Sequence, residues 1–297
     1  MFQIVVPKEF RSDVAGYGFI SGILPAVLSQ QDAEITIDFD TCCRIDANLS
    51  AALGAILDRI IDSGFRVFLK YPPEKQVRKA LARIHFLKAW NVHTRTEERD
   101  NFVEYRRFGS EDVASFMKYI DAGIIRNPRF PRHTDLAGSK ILESILEIYV
   151  NACTHGKTDF VYSCGEYKED SNWLEMTIVD CGRTIPNNVN EFLSSRNIPS
   201  LGHCDAISWA FIEGHTTKNE PGGLGLAILK DFIRMNNGEL QVVSGFGMVE
   251  YDGRKSEQSL LEMLFPGTIV NMKFNFDDQK NYYMASESKD INMNDLL

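Results

Sequence analysis

Three groups of residues in this chain have types and spacings that suit chemistry. Glu143, Glu147, Asn151 and His155 recur every four residues, so a helix over residues 140–151 stacks them along one side. The opposite side is apolar, with Ile141, Leu142, Ile145, Ile148 and Tyr149. Two glutamates alone read as a solvated face. An asparagine and a terminal histidine before Gly156 are poor helix-surface choices by propensity, which suggests another task for them. His155 reads as packed rather than catalytic. In the second group, an apolar strand over residues 175–179 runs into Asp180-Cys181-Gly182. A carboxylate at a strand end, followed by a glycine that permits close backbone approach, suits recognition of an exocyclic amine. Turns also contain Asp-x-Gly, so this group alone is weak. The third is Lys218 in a polar loop, then Gly222, Gly223, Leu224 and Gly225 before a helix over residues 226–235. Glycines ahead of a helix expose N–H groups to an anion, and the helix dipole favours negative charge there. A hinge explains such a loop equally well.

Order and spacing join the three. A helical Glu-x-x-x-Asn, a strand ending in Asp-x-Gly, then Gly-Gly-x-Gly and a closing strand that opens Gly267-Thr268 together resemble the Bergerat fold of GHKL ATPases. That resemblance implies ATP and Mg²⁺ as ligands. By it, Asn151 holds the metal, Glu147 polarises an attacking water, and Asp180 accepts the adenine amine with Gly182 giving the base room. Gly222, Gly223, Leu224 and Gly225 wrap the phosphates, Lys218 reaches the terminal one, and Thr268 supports the adenine side through water. Pro221 stands where the first glycine of the usual motif would be, which stiffens the exit of that loop.

These residues need an α/β scaffold to position them. The expected fold class is α/β throughout: a small unit at residues 1–92, a connector at 93–110, a Bergerat-type sandwich at 111–276 with a mixed sheet and helices on one face, and a flexible polar tail at 277–297. In the first unit, strands at residues 2–6, 34–39 and 66–69 alternate with helices at 15–28, 46–61 and 74–86. Short connections in that order imply parallel strands with crossover helices. The stretches 35–39, 45–53 and 64–69 resemble the STAS-type domain of anti-sigma-factor antagonists. That family offers a phosphorylatable serine after the aspartate that matches Asp46. Here Ala47-Asn48-Leu49 follows, and Ser50 is displaced, which counts against such a switch. The connector carries one strand candidate at residues 101–105.

Composition narrows the function classes. The chain has 297 residues and a formal net charge of −9, which disfavours a general grip on nucleic acid. Lys75, Arg78, Lys79, Arg83 and Lys88 form a local basic cluster, read as a solvated helix face. Six cysteines without C-x-x-C spacing suit neither a disulfide framework nor zinc. No apolar stretch approaches the roughly 20 residues that cross a bilayer, and the first residues lack the pattern of a signal peptide. A cytoplasmic location is expected. The resemblances together imply an ATP-gated regulatory protein with a protein partner or a nucleotide-dependent homodimer. Slow hydrolysis with Glu147 as base is chemically allowed. A serine protein kinase of anti-sigma type and a degenerate interaction module remain as alternatives. Histidine autophosphorylation is disfavoured, because His85 lacks an acidic neighbour after it.

Overall fold

The computed structural model describes residues 1–93, 102–212, 214–215 and 224–287. The first unit runs β1 (Phe2–Val5), β2 (Glu9–Phe10), α1 (Val14–Leu28), β3 (Glu34–Asp38), β4 (Arg44–Ile45), α2 (Leu49–Asp62), β5 (Arg66–Leu69), α3 (Lys75–Arg83) and α4 (Phe86–Ala89). Strands β1, β3 and β5 pair in parallel in that order, as the alternation of strands and helices implies. Two boundaries differ from the sequence reading. Helix α2 starts at Leu49 rather than at residue 46, because Asp46 is engaged elsewhere: it accepts from the Ser12 N–H at 2.9 Å and pairs with Lys168 at 2.9 Å. The helix expected over 74–86 stops at Arg83, and His85 turns left-handed at φ 64° before α4. No glycine or proline marks that break. His85 is held there by Glu104, 2.8 Å from its Nδ1. Of the basic cluster, Arg83 is not solvated alone but pairs with the buried Glu166 at 2.7 Å.

The second unit runs β6 (Phe102–Gly109), α5 (Val113–Ile120), a π-helical turn (Asp121–Ile125), α6 (Asp135–Asn151), a second π-helical turn (Ala152–Gly156), β7 (Phe160–Lys168), β8 (Trp173–Asp180), α7 (Ile185–Ser194), α8 (His203–Ala210), α9 (Leu224–Met235), β9 (Glu239–Tyr251) and β10 (Ser256–Asn275). Its sheet has the order β6-β7-β8-β10-β9, and every pairing is antiparallel. The expectation of a mixed sheet is therefore corrected. Periodicity places strands but does not orient them. The connector is also shorter than expected, since β6 is an edge strand of this sheet. Residues 277–287, read as part of a flexible tail, are docked: Tyr282 is buried, its backbone exchanges hydrogen bonds with Arg132 and Thr134, and its hydroxyl bonds Asp278.

A further correction concerns the layers. Helices cover both faces of the five-stranded sheet: α6 and α9 lie side by side on one, and α1 and α2 from the first unit cover the other. The sequence carries the reason. Strands β7 and β8 are buried along nearly their whole length rather than at alternate residues, as a sheet covered on both faces requires. Helix α2 is likewise buried almost all round, because it lies between two sheets. Small residues Ala51, Gly54 and Ala55 let it approach closely; a Cβ at Gly54 would collide with the Tyr105 hydroxyl. One hydrophobic core thus runs from Ile35 and Ile37 through Leu53 and Ile56 to Tyr162, Val179 and Ile269.

Buried polar groups fix the register of that contact. Asn48 is fully buried and its Nδ2 donates to Thr177 Oγ1 at 3.1 Å and Asn271 Oδ1 at 3.0 Å. Ser12 bonds Asn48, and Gln241 links Asn271, Glu250 and the Ser12 carbonyl. A connected buried network of this kind specifies one docking geometry, since any slip strands several donors. The turn from Asp46 to Ser50 is inside this contact, and Ser50 is fully buried. No helix among the described residues is long and apolar enough to cross a membrane.

Candidate functional site

The site is built on one cross-strand row. Val161, Asp180, Thr268 and Ser244 are register partners across β7, β8, β10 and β9, so their side chains share a face. Strand alternation divides the end of β8. Val179 and Cys181 belong to the core shared with α1 and α2, while Asp180 turns the other way, beneath the α6 layer. There Asp180 is only 5% exposed. Its carboxylate accepts from the Gly182 N–H at 2.9 Å and from the Thr268 N–H. Those donors do not offset the loss of water, and burial pushes the carboxyl up to about 7.

Three glycines let backbone close around this carboxylate. Helix α6 is capped by Thr134, whose side chain accepts from the Ala137 N–H, and it loosens into the π-helical turn immediately after Asn151. That turn lays Gly156 over Asp180, with room for a Cβ only 3.1 Å from Oδ1. A Cβ at Gly182 would collide with the Gly156 carbonyl, and one at Gly267, whose φ is +153°, would collide with the Asp180 carbonyl. The sequence reading gave Gly182 the task of making room for a base. In the fold, the backbone of Gly156 takes that room, and its carbonyl accepts from the Arg183 N–H. Gly182→Ala is therefore expected to displace the π-helical turn. The cost should be about 1–3 kcal/mol of stability, in the range of overpacked sites, read as a lowered Tm.

The other expected residues fall around this row unevenly. Asn151 ends α6, five positions before the Gly156 that touches Asp180, and Glu147 lies one turn further back. Both are half-buried, whereas Glu143 is exposed and pairs with Lys140, which fits its reading as a solvated residue. Helix α9 runs beside α6. Its described residues are helical from Leu224 rather than from residue 226, so Leu224 and Gly225 belong to the helix. Lys218, Gly222 and Gly223 lie outside the described residues. Described contacts thus bring Asp180, Gly182 and Thr268 together, with Asn151 and Glu147 on the helix that leads into them.

Sequence reasoning missed Ser244 and the role of Gly156. Ser244 is fully buried; it accepts from the Ile185 N–H at 2.9 Å, donates to the Gly267 carbonyl at 2.8 Å, and lies 3.1 Å from Thr268 Oγ1. A lone serine in an apolar strand has no spacing signal. Gly156 was visible only as the end of the helix. What the arrangement can do chemically is accept: a buried carboxylate without a cation among its described partners, beside a hydroxyl, awaits a hydrogen-bond donor. No protein-family model matches the chain, and no curated protein matches it.

Proposed function

We propose that this chain is an ATP- and Mg²⁺-binding regulatory protein whose nucleotide site is centred on Asp180. The observation that carries the reading is the buried carboxyl at the strand end, raised to about 7 by desolvation and enclosed by Gly156, Gly182 and Gly267. A free carboxylate in such a place costs stability, and a ligand amine that donates to it recovers part of that cost. Thr268 in the same row adds a second polar group for the base. Asn151 would hold Mg²⁺, which needs few protein ligands when phosphates supply the rest. The metal would neutralise phosphate charge, and Glu147, one turn before Asn151 on α6, would orient water. A regulatory role is supported by the shared core: Val179 and Cys181 flank Asp180 in sequence and pack in the core that holds α1 and α2. Nucleotide at one face of the sheet and the first unit at the other are thus one strand apart.

Calorimetric titration of ATP with Mg²⁺ tests this, run at pH 8 and pH 6 with phosphate release followed in parallel. The ligand needs the ionised carboxyl. With the free carboxyl titrating near 7, about a tenth is ionised at pH 6, so affinity should fall roughly tenfold relative to pH 8. No binding at either pH removes the nucleotide reading and leaves an interaction module. Phosphate release that is lost in Glu147→Ala would make the protein an ATPase.

A further inference from the structure

We infer that Ser244 sets the base specificity of this site, by tying up the proton of the Thr268 hydroxyl so that Thr268 and Asp180 both meet the ligand as acceptors. The inference rests on the nucleotide reading of the site. Hydrogen-bond direction carries it. A serine hydroxyl has one proton and two lone pairs. The Ile185 N–H can only donate, so at 2.9 Å it takes one lone pair of Ser244. The Gly267 carbonyl can only accept, so at 2.8 Å it takes the proton. One lone pair is left, and Thr268 Oγ1, 3.1 Å away, can fill it only by donating. The Thr268 proton then points back into the protein, and Thr268 presents lone pairs alone on its open side. Ser244 is fully buried, so water cannot substitute as a partner for this chain of bonds. Thr268 is half-buried, with the register placing it directly beside Asp180.

Two adjacent acceptors suit a base edge with an amino group, that is, a 6-aminopurine. Each acceptor can take one of the two protons of the 6-amino group, whereas a 6-oxopurine brings an acceptor oxygen to that place and offers only its N1–H, which leaves O6 and one of the two acceptors unpaired. Ser244 is therefore a positioning residue for specificity, acting through Thr268 without touching the ligand.

The test measures affinity for ATP and for inosine triphosphate, which differs at that edge, by calorimetry in wild type and Ser244→Ala. Wild type should prefer ATP by roughly a hundredfold or more, and Ser244→Ala should cut the ratio by about tenfold, because Thr268 becomes free to donate. In a Thr268→Val background, Ser244→Ala should leave the ratio unchanged. A Ser244→Ala protein with a lowered Tm but the wild-type ratio would show a purely structural serine and overturn the inference. Should Ser244→Ala not fold, Thr268→Val and Thr268→Ser decide: the ratio must fall in the first and be kept in the second, and any other pair of results overturns the inference. Failure of wild type to bind either nucleotide would instead sink the underlying reading of the site.

Discussion

Asp180→Asn is expected to lose nucleotide affinity and, in the same variant, to gain thermal stability at alkaline pH. The two effects have one cause. In the folded chain the carboxyl titrates near 7, against 3.8 for an ordinary aspartate. Between those values the native state binds a proton that the unfolded chain has released, so stability falls as pH rises through this window. Above it, the buried charge costs on the order of 4 kcal/mol, taking about 1.36 kcal/mol per unit. Asparagine has the shape of the protonated acid and no charge, so it escapes that cost. For the ligand-free protein, Tm should rise by about 5 °C or more at pH 8, and change little at about pH 3.5, where the carboxyl is protonated in the folded and the unfolded chain alike. The same substitution removes a charged acceptor, which should weaken ATP binding roughly ten- to over a hundredfold. Differential scanning calorimetry at the two pH values, with and without ATP, reads both. A variant less stable than wild type at pH 8 would mean that the carboxylate has a structural partner, and would count against a site awaiting a donor.

How much of this was legible beforehand depends on what each element needs. The strand end at Asp180 and Gly182 was legible because alternation and a glycine leave a local mark, and the order and spacing of the motifs joined Thr268 to them; the strand expected to open at Gly267-Thr268 in fact starts at Ser256 and holds Thr268 in its interior. The helix that delivers Glu147 and Asn151 was legible for the same reason, from its period. Three things were not. Strand direction in the second sheet depends on connections that periodicity does not encode. The break at His85 is stabilised by Glu104, distant in sequence, and no local propensity announces it. Ser244 acts through hydrogen-bond direction, which requires coordinates. The covering of the second sheet by α1 and α2 was readable in principle: strands buried at consecutive positions, such as Val161 through Tyr167, already demand two covered faces. The resemblance to a fold with helices on one face argued against that demand, and the demand was correct.

That shared core leads to the second large effect, on removal of the first unit. Deleting residues 1–93 is expected to yield a protein that aggregates, although the deleted part reads from sequence as a separate domain. Tyr162, Cys164, Val179, Cys181, Val243, Phe265 and Ile269 are all buried in the core that α1 and α2 complete. Uncovering them would create a contiguous apolar face of the kind soluble monomers rarely tolerate. Thr177, Asn271 and Gln241 would lose their partners in Ser12 and Asn48 at the same time. The intact chain should accordingly unfold in a single calorimetric transition. Asn48→Ala, which leaves several buried groups unpaired, should lower stability by about 2–4 kcal/mol without splitting that transition. A soluble, monodisperse 94–297 fragment that binds ATP like the whole chain would refute this and restore two independent domains. If the fragment fails as expected, the first unit is not a recruited module that comes and goes with nucleotide. It is the second wall of the sheet that holds the site, and any signal it transmits must pass through packing that never comes apart.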